Sequence, residues 1–293
     1  GKVFALPAYN IGGQALYYAM DDVPENDVRL TDFVAKGIEL LDNEDGFFMM
    51  VEGGKIDWAC HANDAAASIQ DTIEFDNAVA EAYKFYEAHP DETVIIVTAD
   101  HETGGMTIGF AGTKYTSNID KIANQTVTYD LFNAVVADWR EAGNTRFEDT
   151  FETIEEGFGL IILTDAERAE LEAKAEEGDE DAQAALGMAL SELELDILRT
   201  GFERSMQGEE ERASNEYEYL LYGGYEPMVM KLTTILNQKS GISWTSYSHT
   251  GVPVQTSAVG VGAEMFNGYY DQTDINVAMM ESAGFGSMAA AGN

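Results

Sequence analysis

The stretch from Gly46 to Gly105 constrains this chain more than any other. It opens GFFMMVEGGKIDWACHANDAA and closes TVIIVTADHETGG. Two short apolar runs, FFMMV at 47–51 and VIIV at 94–97, each stop at a cluster of acidic and imidazole side chains. Runs of this length, β-branched or aromatic and bounded by Gly or Asp, read as buried parallel strands. In an open α/β sheet, ligands gather at the carboxyl ends of the strands. Glu52, Asp57 and His61 follow the first run, and Asp100 and His101 follow the second. The pattern predicts a metal site at a sheet edge.

Spacing supports that reading. Asp57 and His61 stand at i and i+4, so a helix starting here puts both on one face. Mixed Asp and His ligation suits zinc, and a carboxylate such as Glu52 also suits a harder ion such as magnesium. The chain has four histidines. His249, in SYSHTGVP, follows a third strand-like run at 242–247, so three of the four come just after expected strands. The fourth, His89, precedes Pro90 at the end of a helical pattern, where an imidazole complements the helix dipole. It is read as structural.

At these residues the sequence resembles the alkaline phosphatase family. EGGKIDWACH, VTADHETGG and SHTGVPV are similar to its three metal-ligand motifs, in family order, and GVGAEMFNGYYDQTDI resembles its C-terminal segment. The likeness is good over about 28–110 and 240–285 and weak between them. It implies that Asp57, His61 and His249 bind a first zinc, Asp100 and His101 a second zinc, and Glu52 a magnesium. It also implies a phosphate monoester as substrate, a periplasmic or extracellular setting and a homodimer. Trp58, directly after Asp57, occupies a position where the family varies; its indole either covers the third metal or simply packs.

The 293 residues, 45% of them hydrophobic, can bury one large core or two modest ones. A net charge of −37 argues against a general basic surface for nucleic acid or anionic membrane. The same field opposes the approach of a phosphate ester, so local metal charge has to overcome it. The lone Cys60 excludes an intramolecular disulfide. It sits at i+3 from Asp57, need not face the metal, and occupies a position the family pattern does not use. No stretch approaches the roughly 18–20 apolar residues of a membrane-spanning helix. No secretion signal is visible, but GKVFALPAYN reads as mid-domain sequence and says nothing about compartment.

Along the chain, Leu30, Val34, Ile38 and Leu41 recur at helical spacing, as do residues from Ala65 to Tyr86 and from Leu131 to Ala142. Strand, helix, strand over 47–100 predicts a right-handed parallel crossover. A short strand is expected at 106–110. Residues 148–218 hold 23 Asp and Glu against 5 Lys and Arg. Thr164 with Glu167 reads as a capping box opening a helix over 165–177, and a second helix is expected over 182–198 with Leu186, Leu190, Leu193 and Ile197 as its stripe. Pro227 opens a helix reaching 237. The expected fold is a three-layer α/β/α sandwich, alkaline phosphatase-like. Residues 1–293 form the C-terminal portion of one such domain, and 148–226 a helical insertion on its surface. That insertion is a solvated face, a cap over the site rim or a dimer contact, and supplies no metal ligand.

The family attacks phosphorus with a serine in an Asp-Ser-Ala motif near the start of its domain, forming a phosphoseryl enzyme. That motif is absent here. The nearest string, Thr256-Ser257-Ala258, lies after His249 and reads as ordinary strand sequence. The resemblance therefore implies a fragment lacking the nucleophile region. A phosphodiesterase, sulfatase or mutase of the same superfamily is the rival enzyme, and a non-catalytic metal-binding domain the rival from outside enzymology. The Glu52 carboxylate five residues before Asp57 favours the three-metal monoesterase.

Overall fold

The computed structural model describes residues 2–7, 15–22, 28–208 and 215–285. From the N-terminal side come α1 (Leu30–Leu41), α2 (Gly54–His61) and α3 (Ala65–Ala88), then β1 (Val94–Val97), β2 (Glu102–Thr103) and β3 (Thr107–Ile108). A run of helices follows: α4 (Tyr129–Ala142), α5 (Phe151–Phe158), α6 (Asp165–Glu176), α7 (Glu180–Met188), α8 (Glu192–Ser205), α9 (Glu216–Tyr222) and α10 (Pro227–Ser240). The chain closes with β4 (Ile242–Ser243), β5 (His249–Thr250), β6 (Ser257–Gly260) and α11 (Thr273–Ser282).

Local chemistry explains most of these boundaries. Asp64 caps α3 by accepting from the Ala67 amide, and Thr128 caps α4 by accepting from Leu131. Thr164 and Glu167 form the expected reciprocal cap on α6. The helix expected over 182–198 is two helices instead. Ser191 and Glu194 make a second capping box, which starts α8 and ends α7 at Met188. The break resets the helical phase, so Leu190 and Leu198 are buried while Leu193 and Ile197 of the expected stripe are exposed. His89 is the C-cap residue of α3, with its ring 4.6 Å from Phe85.

The mixed α/β character holds, but the strand pairing differs from expectation. The parallel crossover over 47–100 does not form among the described residues. β1 pairs antiparallel with β6, Val94 opposite Gly260 and Val97 opposite Ser257. β2 pairs with β5 and β3 with β4, also antiparallel. Residues 47–51 alternate in exposure like a strand, with Phe48 and Met50 mostly exposed, yet they join no ladder among the described residues. Apolar and aromatic side chains favour extended backbone, but a strand also needs a neighbouring edge to bond. The run at 242–247 is a strand only at Ile242–Ser243, because it then bends around Gly104.

The core is built on α10, where ten of fourteen residues are buried, Met228, Leu232 and Leu236 among them. A helix apolar on nearly every side is an interior helix. α4, α5 and α8 pack on it. The acidic stretch is helical as expected, but it is not a surface excursion. Ile154, Phe158, Leu160 and Leu198 are wholly buried and belong to the same core cluster as α10. Its charges are the outer faces of helices whose inner faces fill the centre.

Candidate metal centre

The site begins on α2, one helical step from the core. Asp57 and His61 share a face, with His61 Nε2 3.4 Å from Asp57 Oδ2. The end of α2 is pinned by Asn63, whose side-chain amide donates to the Cys60 carbonyl and to the Ser246 carbonyl, each at 2.9 Å. Asn237 of α10 in turn donates to the Asn63 carbonyl at 2.7 Å. This chain of bonds ties the α2 terminus to the central helix and to the segment that leads to His249.

That segment wraps Gly104. The Thr245 and Ser246 amides both donate to the Gly104 carbonyl, and the Gly104 amide donates to the Ser248 carbonyl. Gly104 has φ +82°, and a Cβ there would lie 2.6 Å from the Trp244 ring and 2.8 Å from the Cys60 carbonyl. Only glycine allows so close a backbone approach. The wrap pairs His249 with Thr103 in the β2–β5 ladder, so the second and third motifs meet as neighbouring strands.

The result brings Asp57, His61 and His249 together, one ligand atom from each lying within 4.8 Å of the others. His61 Nε2 and His249 Nε2 are 3.2 Å apart, and His249 Nε2 is 3.8 Å from Asp57 Oδ1. The Tyr247 carbonyl, 2.6 Å from His61 Nδ1, accepts a hydrogen there. That bond fixes the tautomer and leaves the Nε2 lone pair aimed at His249 and Asp57. Two ring nitrogens and a carboxylate converging at these distances suit a shared cation.

His101 stacks on His249, with ring centroids 3.4 Å apart at 19°. Thr103 Oγ1 donates to Asp57 Oδ1 at 2.5 Å and lies 3.2 Å from His101 Nδ1. With the hydroxyl hydrogen given to Asp57, Thr103 accepts from His101 Nδ1, which leaves His101 Nε2 bare, 3.2 Å from Asp100 Oδ2. Asp100 and His101 thus form a second small donor set beside the first. Glu52 stands apart from both. It is exposed ahead of α2 and lines a cavity of about 340 Å³ with Arg29, Lys55, Trp58 and Asp71.

Trp58 packs. The Lys55 ammonium lies 4.6 Å from its ring and 3.9 Å from the Tyr18 ring, buried with no hydrogen-bond partner. Cys60 points away toward Ser68, 3.3 Å from its hydroxyl, and burial pushes the thiol up to about 11. It faces α3 rather than the histidines. Sequence reasoning did not single out Thr103 or the Tyr247 carbonyl. Thr103 carried a signal, since it stands two residues after His101 in an extended segment and shares its side. Tyr225 lies near enough to Asp57 that burial, and then that carboxylate's charge, push its hydroxyl up to about 12.

The sequence profile described as Alkaline phosphatase matches residues 12–285 of this chain, continuously through the middle where the motifs are sparse. Alkaline phosphatase 3 of Bacillus subtilis is 30% identical over 256 residues, covering 87% of this chain and 43% of that protein. Alkaline phosphatase 4 of the same organism is 27% identical over 249 residues, covering 84% and 41%. Among solved structures, the cold-active alkaline phosphatase from a psychrophilic Shewanella superposes with a TM-score of 0.63 at 26% identity, over 91% of this chain and 52% of that one. The chain therefore spans about half the length of these relatives. No helix among the described residues is long and apolar enough to cross a membrane. The fold is the α/β fold of the alkaline phosphatases, and the chain belongs to that family.

Proposed function

We propose that this chain carries the metal centre of a metal-dependent phosphomonoesterase. In this reading Asp57, His61 and His249 hold one zinc, Asp100 and His101 contribute to a second, and Glu52 offers a carboxylate to magnesium. The observation that carries it is the convergence of Asp57, His61 and His249, with His61 Nδ1 already committed to the Tyr247 carbonyl. The donor set fits zinc in number and type, three protein ligands leaving a position open.

Zinc bound there supplies Lewis-acid stabilisation of the phosphoryl oxygens and activation of the attacking oxygen. The protein's part is placement. Tyr247 sets the imidazole of His61, Thr103 holds Asp57 and His101 through one hydroxyl, and the β2–β5 ladder fixes His249. Side chains of Asp57 and His61 are about two-thirds to three-quarters covered and His249 half covered, so an ester enters from the open His249 side. Kinship with the family supports a periplasmic or extracellular setting and a homodimer as part of this reading.

Calorimetric zinc titration of the wild-type chain, His249→Ala and His101→Ala tests the assignment. The tighter site uses three protein ligands and includes His249, so His249→Ala should lose more affinity than His101→Ala. Equal losses, or a larger loss for His101→Ala, would show the ligand sets to be wrongly drawn.

A further inference from the structure

The segment at 47–51 is held like a strand but paired with none. Phe47 packs edge-on against Phe85 of α3, with centroids 5.5 Å apart at 64°. Met49 lies over Gly37 of α1, where a Cβ would stand 2.6 Å from the Met49 Cε. Gly53, just beyond, leaves room in the same way for the Phe75 ring of α3. One face of the segment is therefore fixed on two helices. The other carries Phe48 and Met50, 75% and 72% exposed. No backbone group of residues 47–51 makes a hydrogen bond among the described residues.

An apolar run with its amides and carbonyls open is a template for another strand. This template is already ordered by α1 and α3, so it has little freedom left to lose on pairing. Main-chain bonds would supply the affinity, and Phe48 and Met50 the side-chain contacts that choose the strand. Charge sets what such a strand carries at its ends. Asp42, Glu44 and Asp45 precede the segment and Glu52 follows it, all exposed. Lys36 of α1 and Lys84 of α3 are each paired with a glutamate of their own helix, so neither offsets those acids. A second copy of this chain is a poor occupant. Self-pairing sets Glu52 beside Asp45 when antiparallel about Met49, and beside a second Glu52 when parallel and in register. Like charges facing across a ladder destabilise it. Two chains of net charge −37 also repel as wholes.

We infer that residues 47–51 are an open sheet edge that takes up one strand of a separate polypeptide stretch, apolar in alternation and basic at its ends. The added strand reaches Glu52, which stands apart from both donor sets, and brings side chains of its own toward the cavity that residue lines. Docking needs no bound metal, so its test and the zinc titrations fail separately.

The test uses the full 293-residue chain and three fluorescent peptides, read by anisotropy. One peptide alternates valine and threonine between terminal lysines. The second replaces those lysines with glutamates, and the third keeps the lysines but has a proline at its centre. Wild type should bind the first peptide, and each of the others at least about tenfold more weakly. The double variant Phe48→Ser with Met50→Ser should lose roughly three- to tenfold for the first peptide, the range of two cross-strand contacts. Its circular dichroism should stay unchanged, because both side chains are already exposed. No binding of the first peptide overturns the edge. Equal binding of the proline peptide overturns it too, leaving charge attraction alone. Equal binding of the glutamate peptide overturns the basic ends. Undiminished affinity in the double variant places the peptide elsewhere and overturns the edge. A wild-type dimer in sedimentation that the double variant loses gives the edge to a second copy and overturns the separate strand.

Discussion

Replacing Asp64 with Ala tests how the site is held to the core. Asp64 is wholly buried three residues after His61. Its carboxylate accepts from the Ala67 amide at 3.0 Å, from the Tyr129 amide at 2.9 Å and from Gln125 Nε2 at 2.9 Å. Gln125 keeps a second acceptor in the Val127 carbonyl, so the substitution strands two backbone amides. Each buried orphan costs about 1–3 kcal/mol, giving about 2–6 kcal/mol for the pair. Against this stands the carboxylate's own burial, which outweighs its hydrogen bonds and raises its pKa to about 6 from 3.8. A raised acid pKa means stability that is full below the unfolded pKa and lost as pH climbs through the folded one. The wild type thus surrenders part of Asp64's contribution between about pH 4 and pH 7, and the variant has none to surrender. The cost of Asp64→Ala should be the full figure in acid and about 2 kcal/mol smaller at pH 7 than near pH 4.5. Urea unfolding followed by circular dichroism at the two pH values measures both quantities. A cost below about 1 kcal/mol in acid, or one that grows toward neutral pH, would refute the reasoning.

Two further substitutions separate the core from the site. Phe158→Ala should destabilise by about 3–5 kcal/mol in the same denaturation assay, because the ring is wholly buried and edge-packed on Phe132; a loss under 1 kcal/mol would return the acidic helices to the surface. Gly223→Ala should weaken zinc roughly tenfold by calorimetry, since its Cβ displaces Tyr247 and with it the carbonyl that orients His61. Unchanged zinc affinity there would cut Tyr247 out of the site.

Helices with strong local signals were legible from sequence. α1 follows Leu30, Val34, Ile38 and Leu41, and α6 follows its capping box. That Asp57 and His61 share a face was legible for the same reason: they sit one helical turn apart whatever surrounds them. What failed was long-range. Whether 47–51 finds a ladder, and that β1 takes its partner from residues 257–260, depend on edges supplied far along the chain. The acidic stretch misled because net charge describes only the outer face of a helix. One missed Ser191–Glu194 box was enough to shift the burial phase of α8. The supporting bonds from Thr103 and Tyr247 were hidden because a backbone carbonyl or a lone hydroxyl leaves no mark in composition.

His61 and His249 meet across 188 residues of chain. A ribosome adding about 5–20 residues per second needs roughly 10–40 s to travel from one to the other. Through that interval the nascent polypeptide carries Asp57 and His61 without His249, the third member of the candidate donor set. When His249 arrives, an ion bridging it to His61 ties off a loop of that length, a cross-link worth about 5 kcal/mol on chain entropy alone. An ion held there would therefore act last, as a clasp added once the whole intervening segment has been made.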